Sequence, residues 1–191
     1  MGRISDCHCE EEHRSDVAIS TLAFASLAMT FRIIRCDMIK ILFVCHGNIC
    51  RSPMAEFVMK KYVKDAGLEK EFEIASAATS REELGNPVYP PARRELAKHG
   101  LSCSGKTARQ MTAADYDRYD YIPIMDRNNQ RNIMRIIGSD PENKVRLLME
   151  YAGSSRDVAD PWYTGDFAAT WDDITRGCRA LLEKIRKEKG I

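Results

Sequence analysis

Three side chains define the chemistry this sequence can do. They are Cys45 and Arg51, six positions apart, and Asp160 much later in the chain. A thiol becomes a strong nucleophile when hydrogen-bond donors and positive charge favour its anion. A guanidinium forks onto two oxygens of a tetrahedral dianion in a way that a lysine ammonium does not. Sharing one site, the two groups would bind a phosphate and aim sulfur at phosphorus. A proton donor such as Asp160 would then help expel an alkoxide or phenolate.

The surrounding residues indicate how the first two are positioned. Ile39, Ile41, Leu42, Phe43 and Val44 form a short apolar run, read as a strand buried on both faces and ending at Cys45. Gly47 permits close backbone approach or positive φ, and the Asn48 amide can hold the loop's shape. Ser52 is expected to cap a helix and Pro53 to sit in its first turn. Met54, Ala55, Val58, Met59 and Tyr62 follow at helical spacing. The expected object is strand, tight loop and helix. Backbone N–H groups and the helix N-terminus would then point at an anion, and Cys45 would have a depressed pKa. A cysteine after a strand is usually only a small buried hydrophobe, so the reading rests on the whole arrangement.

That arrangement, Cys45-His46-Gly47-Asn48-Ile49-Cys50-Arg51-Ser52, resembles the signature of the low-molecular-weight protein-tyrosine phosphatases. The resemblance implies hydrolysis of phosphotyrosine through a phosphocysteine on Cys45. Arg51 and the loop residues His46, Gly47, Asn48, Ile49, Cys50 and Ser52 would hold the phosphate, with no cofactor and no metal. Val158-Ala159-Asp160-Pro161-Trp162-Tyr163 resembles the family's acid loop. It makes Asp160 the general acid and later the base, with Trp162 and Tyr163 as an aromatic wall. Alone, Asp-Pro reads as a turn or a cap. Ser76, in Ser-Ala-Ala-Thr, is implied as a support of the phosphate loop. Gly105 to Gln110 resembles a family segment carrying a histidine that braces the loop asparagine. Here Lys106 stands at that place, which puts the bracing of Asn48 in question.

The rest of the chain reads as strands and helices in alternation. Strands are expected at 71–77, 119–125 and 145–148, and helices at 92–99, 127–137 and 167–189. The fold class is therefore α/β, a four-stranded parallel sheet with helices on both faces. Cys45, Ser76, Asp126 and the loop after Leu148 fall at expected strand ends, where sites of such sheets lie. The 191 residues suffice for one domain, and a net charge of +1 argues against a dedicated nucleic-acid binder. Seven cysteines without a regular framework fit free thiols in a reducing cytoplasm. The expected partner is a phosphotyrosine-containing protein, without nucleic acid or membrane, met by a monomer or weak dimer.

Residues 1–37 are expected to be an extension outside the catalytic fold at 38–191, consistent with an upstream start codon. Val17 to Phe31 is too short for a membrane span, and the acidic leader is wrong for a signal peptide. Cys7, His8, Cys9 and His13 lack a usual zinc spacing. Cys50 can pair with Cys45 under oxidant, or can be a packed thiol. Three alternatives share the loop. They are thioredoxin-coupled arsenate reductase, protein-arginine phosphatase, whose loop tends to carry Thr where this chain has Ile49, and a non-catalytic phosphate-binding module.

Overall fold

The computed structural model describes residues 38–191. The proposed extension and the Cys7, His8, Cys9, His13 zinc alternative lie outside the described residues. Strand β1 (Ile39–Cys45) pairs in parallel with β2 (Phe72–Ala78) on one side and with β3 (Ile122–Ile124) on the other. Strand β4 (Val145–Leu147) pairs in parallel with β3, giving the sheet order β2-β1-β3-β4.

The alternation of β1 builds a core on each face. Ile39, Ile41, Phe43 and Cys45 pack on one side, Leu42 and Val44 on the other. The first side is covered by α1 (Arg51–Asp65), through Met54, Ala55, Val58 and Met59, and by the last helix, α7 (Phe167–Lys189). Ile174, Cys178, Leu181, Leu182 and Ile185 supply the buried face of α7. Burying one such aliphatic side chain is worth about 1.5–3 kcal/mol. Helices α3 (Ala113–Arg118) and α4 (Arg127–Ile137) cover the second side with Tyr116 and Ile133. Helix α2 (Pro90–Lys98) and the single turns α5 (Leu148–Tyr151) and α6 (Pro161–Thr164) complete the order. Gly177 lets α7 close onto α5, since a Cβ there would lie 2.6 Å from Leu148 Cγ.

Three expectations about the elements need correction. The strand expected over 119–125 shrinks to β3, joined to β1 at Val44–Ile124 and by an isolated bridge from Tyr121 to Ile41. Pro123 lies in the middle of β3, and proline cannot donate to a ladder. The expected strand over 145–148 ends one residue early because Leu148 already starts α5. Ser52 does not cap α1. The helix begins at Arg51 with Cys50 at its cap position, and the Ser52 hydroxyl is drawn to the sulfur of Cys45 instead.

The chain places β2 on one flank of β1 and then crosses to place β3 on the other. The crevice beyond the carboxyl ends of β1 and β3 is the position where open α/β sheets bind ligands. Cys45 and Asp126 stand at those two ends.

Candidate active site

The loop from Cys45 to Cys50 is fastened through its carbonyls. Those of Cys45, His46 and Ile49 accept from the N–H groups of Thr79, Ser80 and Tyr89 at 2.8, 3.0 and 2.9 Å. In a trans peptide the next N–H points the opposite way, so outward carbonyls turn the N–H groups of His46, Gly47 and Cys50 inward. The N-terminus of α1 adds its partial positive charge from below. The sulfur of Cys45 receives the Asn48 N–H at 3.3 Å and lies 3.0 Å from Ser52 Oγ. A backbone donor aimed at the sulfur suits a thiolate acceptor.

Asn48, not Gly47, takes the left-handed backbone, at φ 60°. Asparagine tolerates that region better than most residues, though it still needs support. Its Nδ2 donates to Ser52 Oγ and Ser76 Oγ, both at 2.8 Å, and its Oδ1 accepts from Arg109 N at 3.2 Å. Asn48 is thus braced without a histidine. Gly47 matters for space, since a Cβ there would meet Glu83 Cγ at 3.2 Å.

Arg51 is 4 % exposed and forked between two carboxylates. Its Nη1 meets Asp126 Oδ2 at 2.7 Å and its Nη2 meets Asp160 Oδ2 at 2.6 Å. Burial works against the cation, but Cys45, Asp160 and Asp126 outweigh it and hold its pKa above the ordinary value. Asp126 also caps α4 by accepting from Asn129 N. Asp160 has the extended backbone that a following proline favours, and its Oδ1 accepts from Trp162 N. Asp160 therefore both caps the turn α6 and pairs with Arg51.

Cys45, His46, Gly47, Ile49, Cys50, Arg51, Asp160, Trp162 and Tyr163 line one cleft of about 440 Å³. Asn48, Ser52 and Ser76 lie buried beneath it, while Trp162 and Tyr163 are exposed at its mouth. Tyr89 backs Trp162, with ring centroids 5.3 Å apart. Cys50 is packed with Ile49 and Ala108. Burial pushes its thiol up to about 12, reinforced by Cys45 and Asp160. His46 pairs with Glu82 at 2.9 Å on the open rim, where such a pair contributes little to stability.

The sequence reading missed the acidic and amide rim made by Glu82, Glu83, Asn128, Asn129 and Asn132. It also missed Glu56, buried on α1, whose Oε2 accepts from Ser76 Oγ at 2.6 Å and pairs with Lys106 Nζ at 2.9 Å. Asp126 was placed at a strand end, but its hold on Arg51 had no local signal. The residues directly after Leu148 form α5 and do not line the cleft, which the chain reaches again only at Asp160. Cys103 and Cys178 are also absent from the cleft lining.

Residues 40–190 match the family described as low molecular weight phosphotyrosine protein phosphatase. The low molecular weight protein-tyrosine-phosphatase YfkJ of Bacillus subtilis is 39% identical over 156 residues, which cover 81% of this chain and 100% of YfkJ. The crystal structure of YfkJ superposes with a TM-score of 0.77, covering 80% of this chain and 97% of that one. The Gallus gallus low molecular weight phosphotyrosine protein phosphatase is 40% identical over 149 residues, 75% of this chain and 94% of the relative. A Drosophila arginine phosphatase also shares the fold at 29% identity and a TM-score of 0.70, covering 78% of this chain and 98% of that one. A match over nearly all of residues 38–191, with the thiol, the guanidinium and the carboxylate meeting in one cleft, leads to one conclusion. The chain belongs to the low molecular weight phosphotyrosine protein phosphatase family.

Proposed function

We propose that this chain hydrolyses phosphotyrosine in proteins, and small aryl phosphates, by two displacements at phosphorus. The observation that carries the reading is the convergence of Cys45, Arg51 and Asp160, with the guanidinium 2.6 Å from the carboxylate. A phosphate dianion in the cup takes its equatorial oxygens to the inward N–H groups and to Arg51, displacing the Asp160 carboxylate from Nη2. The Cys45 thiolate attacks phosphorus in line. Freed from Arg51, Asp160 takes up a proton from solvent; the bond to the aryl oxygen then breaks, and Asp160 gives that proton to the oxygen. In the second step Asp160 takes a proton from water, the water oxygen attacks phosphorus, and the S–P bond breaks. Thiolate and phosphate are released, Asp160 returns its proton to solvent as it rejoins Arg51, and no electrons are exchanged.

Trp162 and Tyr163 form a wall tall enough for a phenyl ring, which supports an aryl rather than an alkyl ester. Relatives at 39% and 40% identity named for phosphotyrosine support the same choice, and so does Ile49 where arginine phosphatases tend to carry Thr. The free, buried thiols Cys45, Cys50, Cys103 and Cys178 support a reducing compartment, the cytoplasm. The family match beginning at residue 40 supports placing residues 1–37 outside the catalytic domain.

The test is turnover of para-nitrophenyl phosphate, a phosphotyrosine peptide and phosphoarginine without added metal, by the wild type and Cys45→Ser. Turnover of both aryl substrates, with a loss of about 10⁴-fold or more in Cys45→Ser, is the expected result. Preference for phosphoarginine overturns the substrate class. An active Cys45→Ser overturns the mechanism.

A further inference from the structure

Three amides that line the cleft from α4, those of Asn128, Asn129 and Asn132, have their direction fixed by chemistry. An asparagine amide has a donating end and an accepting end, and a neighbour that can only donate decides which end faces it. Each of the three has such a neighbour. Asn128 Oδ1 accepts from Arg131 Nη2, Asn132 Oδ1 accepts from Arg135 Nη1 at 3.2 Å, and Asn129 Oδ1 accepts from the Met125 N–H at 3.3 Å. The NH₂ groups are left over, and among the described residues none of them meets an acceptor. Asn129 is 1 % exposed, where an unmet donor is costly. Along α4 the cleft therefore offers donors that await an oxygen.

Charge narrows the kind of oxygen. Helix α4 carries Arg127, Arg131 and Arg135 and no acidic residue. The acceptors these arginines meet are neutral: Ser155 O for Arg127, and the two asparagine oxygens for the others. Asp126, the cap of the helix, is held by Arg51. Donors in an uncancelled positive field suit a carboxylate better than a neutral carbonyl. Another part of the same rim has the other sign. Glu82 and Glu83 line it from the segment between β2 and α2, with Glu82 paired to His46 and Glu83 accepting from Asn86 Nδ2 at 2.7 Å. A carboxylate brought in by a substrate is repelled there and received along α4.

We propose that Asn128, Asn129 and Asn132 form a subsite for a carboxylate side chain beside the phosphotyrosine of a protein substrate. Asn128 and Asn132 stand one turn apart on one face of α4, so a single carboxylate can span their two donors. Arg131 and Arg135 are positioning residues, since they act by keeping those amides turned with the NH₂ outward. The preferred substrate is then a phosphotyrosine segment with Glu or Asp close to the phosphorylated residue. The inference rests on the phosphatase reading and deepens it by naming the sequence class of the substrate.

The experiment compares phosphotyrosine peptides that carry a single Glu, or a Gln in its place, at each position from two before to two after the phosphotyrosine. kcat/KM is measured for the wild type, for Asn128→Asp with Asn132→Asp, and for Arg131→Met with Arg135→Met. Each value is divided by the same protein's value for para-nitrophenyl phosphate, which has no flanking residue. We expect the wild type to favour Glu over Gln by about fivefold at one or two positions, through KM rather than kcat, the scale of one hydrogen bond to a charged group at a wet rim. The aspartates keep the shape and still offer oxygens to the arginines, but they replace donors by acceptors and should reverse the ratio to favour Gln. The arginine pair of variants frees the amides to turn and should bring the ratio near one. A wild-type ratio within about twofold of one at every position overturns the proposal, as does either double variant that keeps the wild-type ratio. Dissociation constants of the Glu and Gln peptides for Cys45→Ser, read by fluorescence anisotropy, give the same comparison without turnover. If the wild type hydrolyses no aryl phosphate, the phosphatase reading fails while those constants still decide on the subsite: equal values, or no binding of either peptide, overturn it. They also decide should a double variant fail to fold.

Discussion

The two catalytic pieces are built to opposite standards. The Cys45–Cys50 loop is tied through three of its carbonyls and through the Asn48 side chain, and Asn48, Arg51 and Ser52 are almost wholly buried. The Asp160–Gly165 segment is a proline-started single turn carrying Trp162 and Tyr163 at 56 % and 86 % exposure. Its Asp160 is held by one ion pair to Arg51 and by one bond from Trp162 N. A group that must meet the same charge distribution in both displacements benefits from being fixed in advance. In the proposed mechanism Asp160 must leave a guanidinium, give up a proton and later take one, and a light hold suits those moves. Rigidity is concentrated where the transition state is charged, and freedom where a proton travels.

This contrast can be tested by weakening each side. Arg51→Lys keeps the cup's charge but loses its planar fork, and is expected to lower kcat/KM by about 10³-fold for every phosphate ester, measured by steady-state hydrolysis. Uniform loss across leaving groups would mark it as cup chemistry. Asp160→Asn should instead discriminate, costing about 10²- to 10³-fold for phenyl phosphate and much less for a phenol of low pKa that leaves without a proton. A flat leaving-group dependence for Asp160→Asn would erase the division of labour.

The smallest effect is expected in acid stability. The folded pKa of Glu56 lies below its unfolded value, so its contribution is complete above the ordinary glutamate range of about 4.3 and is lost as pH falls through the lower folded value. Urea unfolding between pH 7 and 3 should show the wild type losing stability below about pH 4. Glu56→Gln should start about 3 kcal/mol less stable and change less with acid, because Lys106 and Lys60 are already without their partner. An identical slope in the two proteins would remove Glu56 from the cup's support.

What was legible in the sequence follows from distance along the chain. The strand, the thiol, the guanidinium and the helix lie between Ile39 and Asp65, so local pattern and local chemistry point the same way there. Asp160 was legible only because proline constrains it and because the resemblance gave it a partner. The Lys106–Glu56 pair spans 50 positions, and nothing near either residue announces the other. Lys106 looked like a lost brace, yet Asn48 is braced by two serines and a backbone N–H, with lysine acting one layer further in. Ser52 looked like a cap because serine before proline usually is one. Tertiary demand from the Cys45 sulfur overrode the local preference. Strand β3 was overestimated because hydrophobic pattern does not register the donor that Pro123 lacks. Asp173 shows the same limit on α7, where a charged face reads as solvated although this residue is buried against Arg156.

The forked hold on Arg51 has a consequence for turnover. Asp160 holds one corner of the guanidinium, so on the proposed mechanism it acts as a tethered competitor for the phosphate. Entry of the substrate is then an exchange of one anion for another, and the buried cation is never left without a partner. The same exchange in reverse helps inorganic phosphate to depart, since the returning carboxylate restores the pair it displaced. On the proposed mechanism the arrangement gives up some affinity for every phosphate, substrate and product alike.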